Sequence, residues 1–319
     1  MKNKSVPFLI DKLKEVSAFL KSQGIEDAAK EAEILITETL RISKSKLYAG
    51  NFEISEAESK QIDALASRRA RREPLQYIIG TVEFHGLKIK VGQGVLIPRP
   101  ETELLVEEVV KAAESREQLP PHPPLTKGGT KGGVNILDLC TGSGCLALAL
   151  AKHFPDAEVY GTDISKDAIR YANENAELNA IRNVTFLKGS LFEPLSQLLT
   201  DNSSVLTFNV IVSNPPYIRS GGIPNLQPEI KNWEPRNALD GGEDGLSYYR
   251  TILSEAPKYL TPSCSTLLKG RCGGGVIFLE IGEGQAREVS EIAMQNGFCK
   301  VSVIKDYAGI ERIIVARAL

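Results

Sequence analysis

Residues 135–151 read NILDLCTGSGCLALALA. They combine a strand, a glycine turn and an apolar helix in direct succession. Gly142 and Gly144 let the backbone come close to a ligand, and Ala147 lets the helix pack tightly. Gly142-x-Gly144-x-x-Ala147 fits the dinucleotide fingerprint, and Asp163 stands about where a ribose-binding carboxylate belongs. On the glycines alone, a dehydrogenase fits as well as any other nucleotide-binding enzyme.

Outward from this stretch the chain alternates strand and helix. Strands are expected at 134–139, 157–162, 184–187, 208–213, 275–281, 300–304 and 312–316, with helical patterns between most of them. That rhythm predicts a parallel, doubly wound α/β sheet, Rossmann-like and seven-stranded. Two Pro/Gly-rich pieces interrupt it, at about 114–133 and 263–274, and "LTKGGTKGGV" in the first resembles "LLKGRCGGGV" in the second. Both read as flexible loop insertions without chemistry.

Upstream, the first seventy or so residues are helical in period. Leu9, Leu13, Val16 and Leu20 recur at helical spacing, as do Ala28, Ala32, Leu35 and Ile36. Ser55 followed by Glu58 predicts a capped third helix through Ile62 and Leu65. The bundle ends in Arg68, Arg69, Arg71 and Arg72, a solvated face or a contact patch for an acidic partner. "TVEFHGLKIKV" then predicts a hairpin turning at His85-Gly86, and a helix begins near Thr102 after the breaks at Pro98 and Pro100. The expected organisation is a helical domain over 1–75, a β-hairpin linker over 76–95 and an α/β domain over 96–319.

Composition narrows the function. The chain has 319 residues, 42% hydrophobic and 24% charged, with a formal net charge of −2. A protein gripping long nucleic acid through its phosphates would carry a basic excess. No apolar run is long enough for a signal peptide or a membrane span, so a cytoplasmic location without membrane contact is expected. The five cysteines form no CxxC pair and no zinc spacing, so no metal is expected and the thiols read as free in a reducing compartment.

Two carboxylates bear on the cofactor. Asp138 ends the first strand, where its charge would repel a pyrophosphate but welcome a cationic ligand. S-adenosyl-L-methionine carries a sulfonium and an ammonium and no phosphate. Asp163 can accept both ribose hydroxyls of either cofactor; as an ordinary loop pair, both aspartates would be helix N-caps. The stretch resembles the nucleotide motif of class I methyltransferases, with Cys140 where glycine is commoner and cysteine small enough to fit.

The fourth strand ends in Asn214-Pro215-Pro216-Tyr217, at the carboxyl edge where a doubly wound sheet opens its ligand crevice. A planar nitrogen is a poor nucleophile because its lone pair is delocalised. Acceptors that grip its N–H groups can aim that lone pair at a sulfonium methyl. Asn214 offers a side-chain oxygen and Pro215 a carbonyl, while neither proline presents a competing N–H. Tyr217 can cover the planar group with its ring. An ordinary Asn-Pro turn is the alternative.

Flanking segments are more specific. "REPLQYIIGTVEFHGLKIKV" (72–91), "VLIPRPETELLVE" (95–107), "NWEPRNALDGGEDGLSYYR" (232–250), "IFLEIGEGQ" (277–285) and "KDYAGIERIIVA" (305–316) resemble the release-factor glutamine methyltransferase (HemK/PrmC) family over essentially the whole chain outside the insertions. The resemblance implies N5-methylation of the glutamine in the Gly-Gly-Gln loop of peptide chain release factors 1 and 2 during translation termination. S-adenosyl-L-homocysteine is the implied product, and the protein is expected to be monomeric. By matching motif, cofactor contacts fall on Cys140, Thr141, Gly142, Ser143, Gly144, Asp163 and Asn214. The adenine-side position falls on Leu191, which is neither acidic nor aromatic. The substrate glutamine falls on Asn214, Pro215, Pro216 and Tyr217, with Asn214, Pro215 and Tyr217 as the catalytic set. The resemblance also implies that Arg99 and Glu101 shape the site's lid or cofactor side, with pure domain packing as the alternative. A nucleic-acid amino methyltransferase would share this chemistry but needs a basic face. An adaptor that binds release factor without turnover would not need an intact Asn214 and aspartate pair.

Overall fold

The computed structural model describes residues 8–49, 52–114, 134–198, 206–262 and 274–318. Nearly all of both Gly-rich insertions therefore lies outside the described residues.

The chain forms two compact units, one of Met1–Thr81 with Gln227–Trp233 and one of Val82–Leu226 with Glu234–Leu319. The first holds helices α1 (Leu9–Ser22), α2 (Ala28–Leu40), α3 (Lys44–Tyr48), α4 (Glu56–Ala70) and α5 (Leu75–Ile79). Leu9, Leu13, Val16, Leu20, Ala28, Ala32, Leu35, Ile36 and Ile62 close its core, as their helical spacing predicts. At the start of α4, the Ser55 hydroxyl accepts from the Glu58 N–H while the Glu58 carboxylate accepts from the Ser55 N–H, a full capping box.

The arginine run is neither a bare face nor a free patch. Arg69 is buried and pairs with Glu31 and with Glu229, Arg68 pairs with Glu73, and Arg72 reaches Glu229 and the Gly24 carbonyl. Of the four arginines only Arg71 is exposed. Glu229 sits on the short helix Pro228–Trp233, so these pairs tie that distant segment into the helical unit. The periodicity of α4 marked an apolar stripe but carried no sign of carboxylates more than thirty residues away.

Strands β1 (Thr81–Phe84) and β2 (Leu87–Lys90) form the expected hairpin, with His85 at φ 48° and Gly86 at φ 69°, as a tight primed turn demands. After α6 (Glu103–Glu114), the second unit builds a seven-stranded sheet from β3 (Asn135–Leu139), β4 (Glu158–Asp163), β5 (Val184–Lys188), β6 (Val210–Ser213), β7 (Val276–Glu280), β8 (Lys300–Lys305) and β9 (Glu311–Arg317). Its order is β5-β4-β3-β6-β7-β9-β8. Helices α7 (Cys145–His153), α8 (Lys166–Leu178), α10 (Ser247–Glu255) and α11 (Ala286–Gln295) belong to the same unit, α9 being the Pro228–Trp233 helix.

The strand pattern is realised, with one departure from an all-parallel sheet. β9 runs antiparallel to both β7 and β8. Only a few residues join β8 to β9, enough for a hairpin and far too few for a parallel crossover. The central strands β3, β6 and β7 are buried almost throughout, which explains their continuous apolar runs. Cys140 and Cys145 are free thiols, as expected.

Candidate active site

Strand register assembles the site. Leu139 stands opposite Thr162 on β4 and opposite Ser213 on β6. The residues that follow, Cys140, Asp163 and Asn214, therefore emerge side by side at the carboxyl edge of the sheet. Here the chain leaves β3 to opposite sides, toward β4 and toward β6, which is where an open α/β sheet forms its ligand crevice.

A cavity opens at this edge, entirely within the second unit. Cys140, Thr141, Gly142, Ser143, Asp163, Leu191, Asn214 and Pro216 line it together. Gly144, Asp138, Pro215 and Tyr217 do not. The two glycines thus do different work. A Cβ on Gly142 would meet nothing within 4 Å, so its bareness keeps the floor of the cavity open. A Cβ on Gly144 would come within 2.9 Å of the Phe186 ring and 3.0 Å of Ala172 Cβ, so this glycine serves packing of α7 against α8 and β5. Cys140 has φ 59°, which shows why glycine suits its position: the backbone is left-handed, and size is secondary. Leu191 is left-handed too, at φ 47°.

Asp138 is fully buried beneath the turn. Its Oδ2 accepts from the Thr141 hydroxyl at 2.6 Å and from the Ala147 N–H at 3.2 Å, while Oδ1 has no partner. Burial pushes its carboxyl up to about 7, against the pull of those two bonds. Its direct work is to fasten the glycine turn to α7. Asp163 accepts the Gly142 N–H at Oδ2 (2.9 Å) and the Ser165 N–H at Oδ1 (2.8 Å), which leaves each oxygen another acceptor direction for a diol. Burial raises its pKa, opposed by those two amides. Burial also pushes the Cys140 thiol far up, helped by Asp163 and Asp138, so it stays protonated. Asn175 pins the turn from outside: its amide accepts the Lys90 N–H at 2.6 Å and donates to the Lys90 and Ser143 carbonyls.

The Asn-Pro-Pro-Tyr turn is held from two directions. Gly241 and Gly245 lie so close to the backbone of 216–217 that added Cβ atoms would fall 2.8 Å from the Pro216 carbonyl oxygen and 2.5 Å from that of Tyr217. Gln285 donates to the carbonyls of Tyr217 and Gly245 while accepting the Gly282 N–H. Both prolines are buried. Tyr217, outside the cavity lining, borders a depression with Asp244, Glu283 and Glu288, and its hydroxyl lies 3.5 Å from Glu280 Oε1. Its ring lies beside Gly282, where an added Cβ would fall 3.0 Å from it. Burial next to Glu280 pushes its phenol up to about 12.

Apart from Arg99, which the resemblance sets near the site, several lining residues escaped the motif reading. Arg99 reaches the wall and donates to the buried Glu234 at 2.6 Å, and Glu234 also accepts the Ile97 N–H. Glu101 is exposed and outside the lining. Tyr248, Asn237 and Ala238 close another side. The strings "VLIPRPETELLVE" and "NWEPRNALDGGEDGLSYYR" contain all of these residues, but no local spacing rule assigns them a wall of the site.

The fit to S-adenosylmethionine rests on this lining. It has a carboxylate with free acceptor directions for a ribose, a bare glycine floor, apolar Val95, Leu96, Ile164 and Leu191 for an adenine, and no lysine. Comparisons with known proteins agree. A family model described as the PrmC N-terminal domain matches residues 11–80, and one described as a methyltransferase domain matches residues 130–262. The chain is 46% identical to the release factor glutamine methyltransferase of Thermodesulfovibrio yellowstonii, over 90% of this chain and 91% of that protein. Identity to the protein of the same name from Geobacter sulfurreducens is 41%, over 94% and 93%. Among solved structures, the hMettl16 catalytic domain matches with a TM-score of 0.50 at 16% identity, over 82% of this chain and 80% of that one, a likeness of fold alone.

Fold, lining and relatives together define a Rossmann-like methyltransferase that uses S-adenosylmethionine. More narrowly, the chain belongs to the release factor glutamine methyltransferase family.

Proposed function

We propose that this protein methylates the side-chain nitrogen, N5, of the glutamine in the Gly-Gly-Gln loop of peptide chain release factors 1 and 2. Near-full-length identity of 46% to a release factor glutamine methyltransferase carries this reading. When bound, S-adenosylmethionine supplies an electrophilic methyl group and leaves as S-adenosylhomocysteine.

In this reading, residues 140–144 and Asp163 hold the cofactor and Leu191 borders the adenine. Asn214 is the acceptor that orients the glutamine amide, and its place on the cavity wall supports that role. The Pro215 carbonyl is the second acceptor, and Pro216 keeps the adjoining wall free of a competing donor. Tyr217 supports the turn from behind. Catalysis is then mainly placement, which can contribute up to about 7–11 kcal/mol when reacting groups are well aligned. The helical domain over 1–75 docks the release factor, with 76–95 as linker to the catalytic domain over 96–319; the match to the PrmC N-terminal domain over residues 11–80 supports a dedicated role for it. A translation factor as substrate implies a cytoplasmic site of action.

The test is incubation with methyl-labelled S-adenosylmethionine and, separately, release factor or nucleic acid. Label is expected on the Gly-Gly-Gln glutamine, located by peptide mass. Label in nucleic acid alone would overturn the reading.

A further inference from the structure

One buried side chain next to the cavity has bonds that its helix does not need. Thr102 ends the single 3-10 turn Pro100–Thr102 that leads into α6 and is only 2% exposed. An N-capping threonine would spend its oxygen on the helix's own amides. Instead the Thr102 hydroxyl lies 2.7 Å from Glu280 Oε2 and 3.1 Å from Asn214 Nδ2. Strand pairing explains the meeting: Ser213 stands opposite Leu279, so Asn214 and Glu280 leave neighbouring strands together. Thr102 fills the gap between them.

Direction follows from counting protons. With Glu280 ionised, the one hydroxyl proton of Thr102 goes to the Glu280 oxygen. The remaining lone pairs of Thr102 can only accept, so the Asn214 group facing them must be the NH2. The opposite amide orientation would set two acceptors against each other and lose the Asn214–Thr102 bond. Among the described residues no side-chain bond is made to the Asn214 oxygen, the amide meeting Thr102 through its nitrogen.

We infer that Thr102 is a positioning residue for methyl transfer: its hydroxyl, committed as a donor to Glu280, holds the Asn214 amide nitrogen and leaves the amide oxygen to receive the substrate N–H. The inference rests on the reading of Asn214 as substrate acceptor. It gives the "PRPET" segment a duty besides starting a helix and assigns Glu280 the task of fixing the direction of the chain of bonds.

Thr102→Val keeps the shape and removes the hydroxyl, while Thr102→Ser keeps the hydroxyl. With release factor as substrate, Thr102→Val is expected to lower kcat by about 10- to 100-fold, the scale for losing one orienting hydrogen bond. KM for release factor and the calorimetric affinity for S-adenosylmethionine should stay within a few-fold. Thr102→Ser should recover most of the loss. Near-normal kcat in Thr102→Val, or a Thr102→Ser variant as slow as Thr102→Val, would overturn the inference, the second because packing alone would then explain the defect. A substrate-free measurement separates this from failure of the functional reading. In 15N-labelled protein, the Asn214 side-chain amide signal, assigned by its loss in Asn214→Ala, should exchange slowly in wild type and Thr102→Ser and rapidly in Thr102→Val. Equal exchange in all three would overturn the positioning role even if wild type methylates release factor. Slow exchange lost only in Thr102→Val, in a wild type that does not methylate release factor, would uphold the hold of Thr102 on the Asn214 amide and overturn the functional reading instead.

Discussion

Asn214 is the residue whose chemistry matters most to the proposed reaction. Asn214→Ala should leave cofactor affinity within a few-fold and slow methyl transfer by about 30- to 1000-fold, the cost of one oriented acceptor. Single-turnover rates at saturating cofactor check this; near-normal turnover would remove Asn214 from the mechanism. The paired glycines make a second prediction. Gly142→Ala meets no atoms but is left-handed at φ 55°, so it should cost about 1–2 kcal/mol of stability. Gly144→Ala is left-handed too and also presses on Phe186 and Ala172, which adds about 1–3 kcal/mol. Denaturant midpoints should therefore fall further for Gly144→Ala, whereas calorimetry should find cofactor affinity more sensitive at Gly142. The spacing of these glycines was plain in the string. Which of them lines the cavity was not, because that depends on the Phe186 and Ala172 side chains from β5 and α8.

Elements show the same division. The Ser55–Glu58 box was readable because capping is local, and Ser55→Ala should cost about 1 kcal/mol, seen as faster amide exchange in the first turn of α4. The arginines a few turns later were not readable. Arg69 looks like any solvated arginine near a helix end, yet it is buried between Glu31 and Glu229. Arg69→Ala would leave both carboxylates without their shared cation, at about 3–5 kcal/mol, the scale for breaking a buried ion pair from one side. Chemical denaturation followed by helical circular dichroism measures it; a loss under about 1 kcal/mol would make these pairs surface ornaments. β9 likewise followed the strand pattern, but its antiparallel direction came from the short connection to β8.

Across the whole molecule, stability should respond to pH through buried carboxylates. Burial pushes Glu280 up to about 7, with Thr102 and Arg312 pulling the other way. Its folded pKa thus lies above its unfolded one, so the folded protein binds more protons between about 4.5 and 7. Stability is then highest on the acid side of that window, falls as pH rises through it and levels off above. Glu280→Gln should flatten the fall between pH 5 and pH 8 by on the order of 3 kcal/mol, measured as the change in unfolding free energy. An unchanged pH slope would show that Glu280 titrates normally. Period and turn chemistry act between near neighbours, so the strand-helix rhythm, the helical start, the hairpin and the Asn-Pro-Pro-Tyr turn could all be read along the chain. Contact between distant residues depends on strand order and register. Only the folded chain could bring Thr102, Asn214 and Glu280 within hydrogen-bonding reach and leave Asp138 and Tyr217 outside the cavity lining.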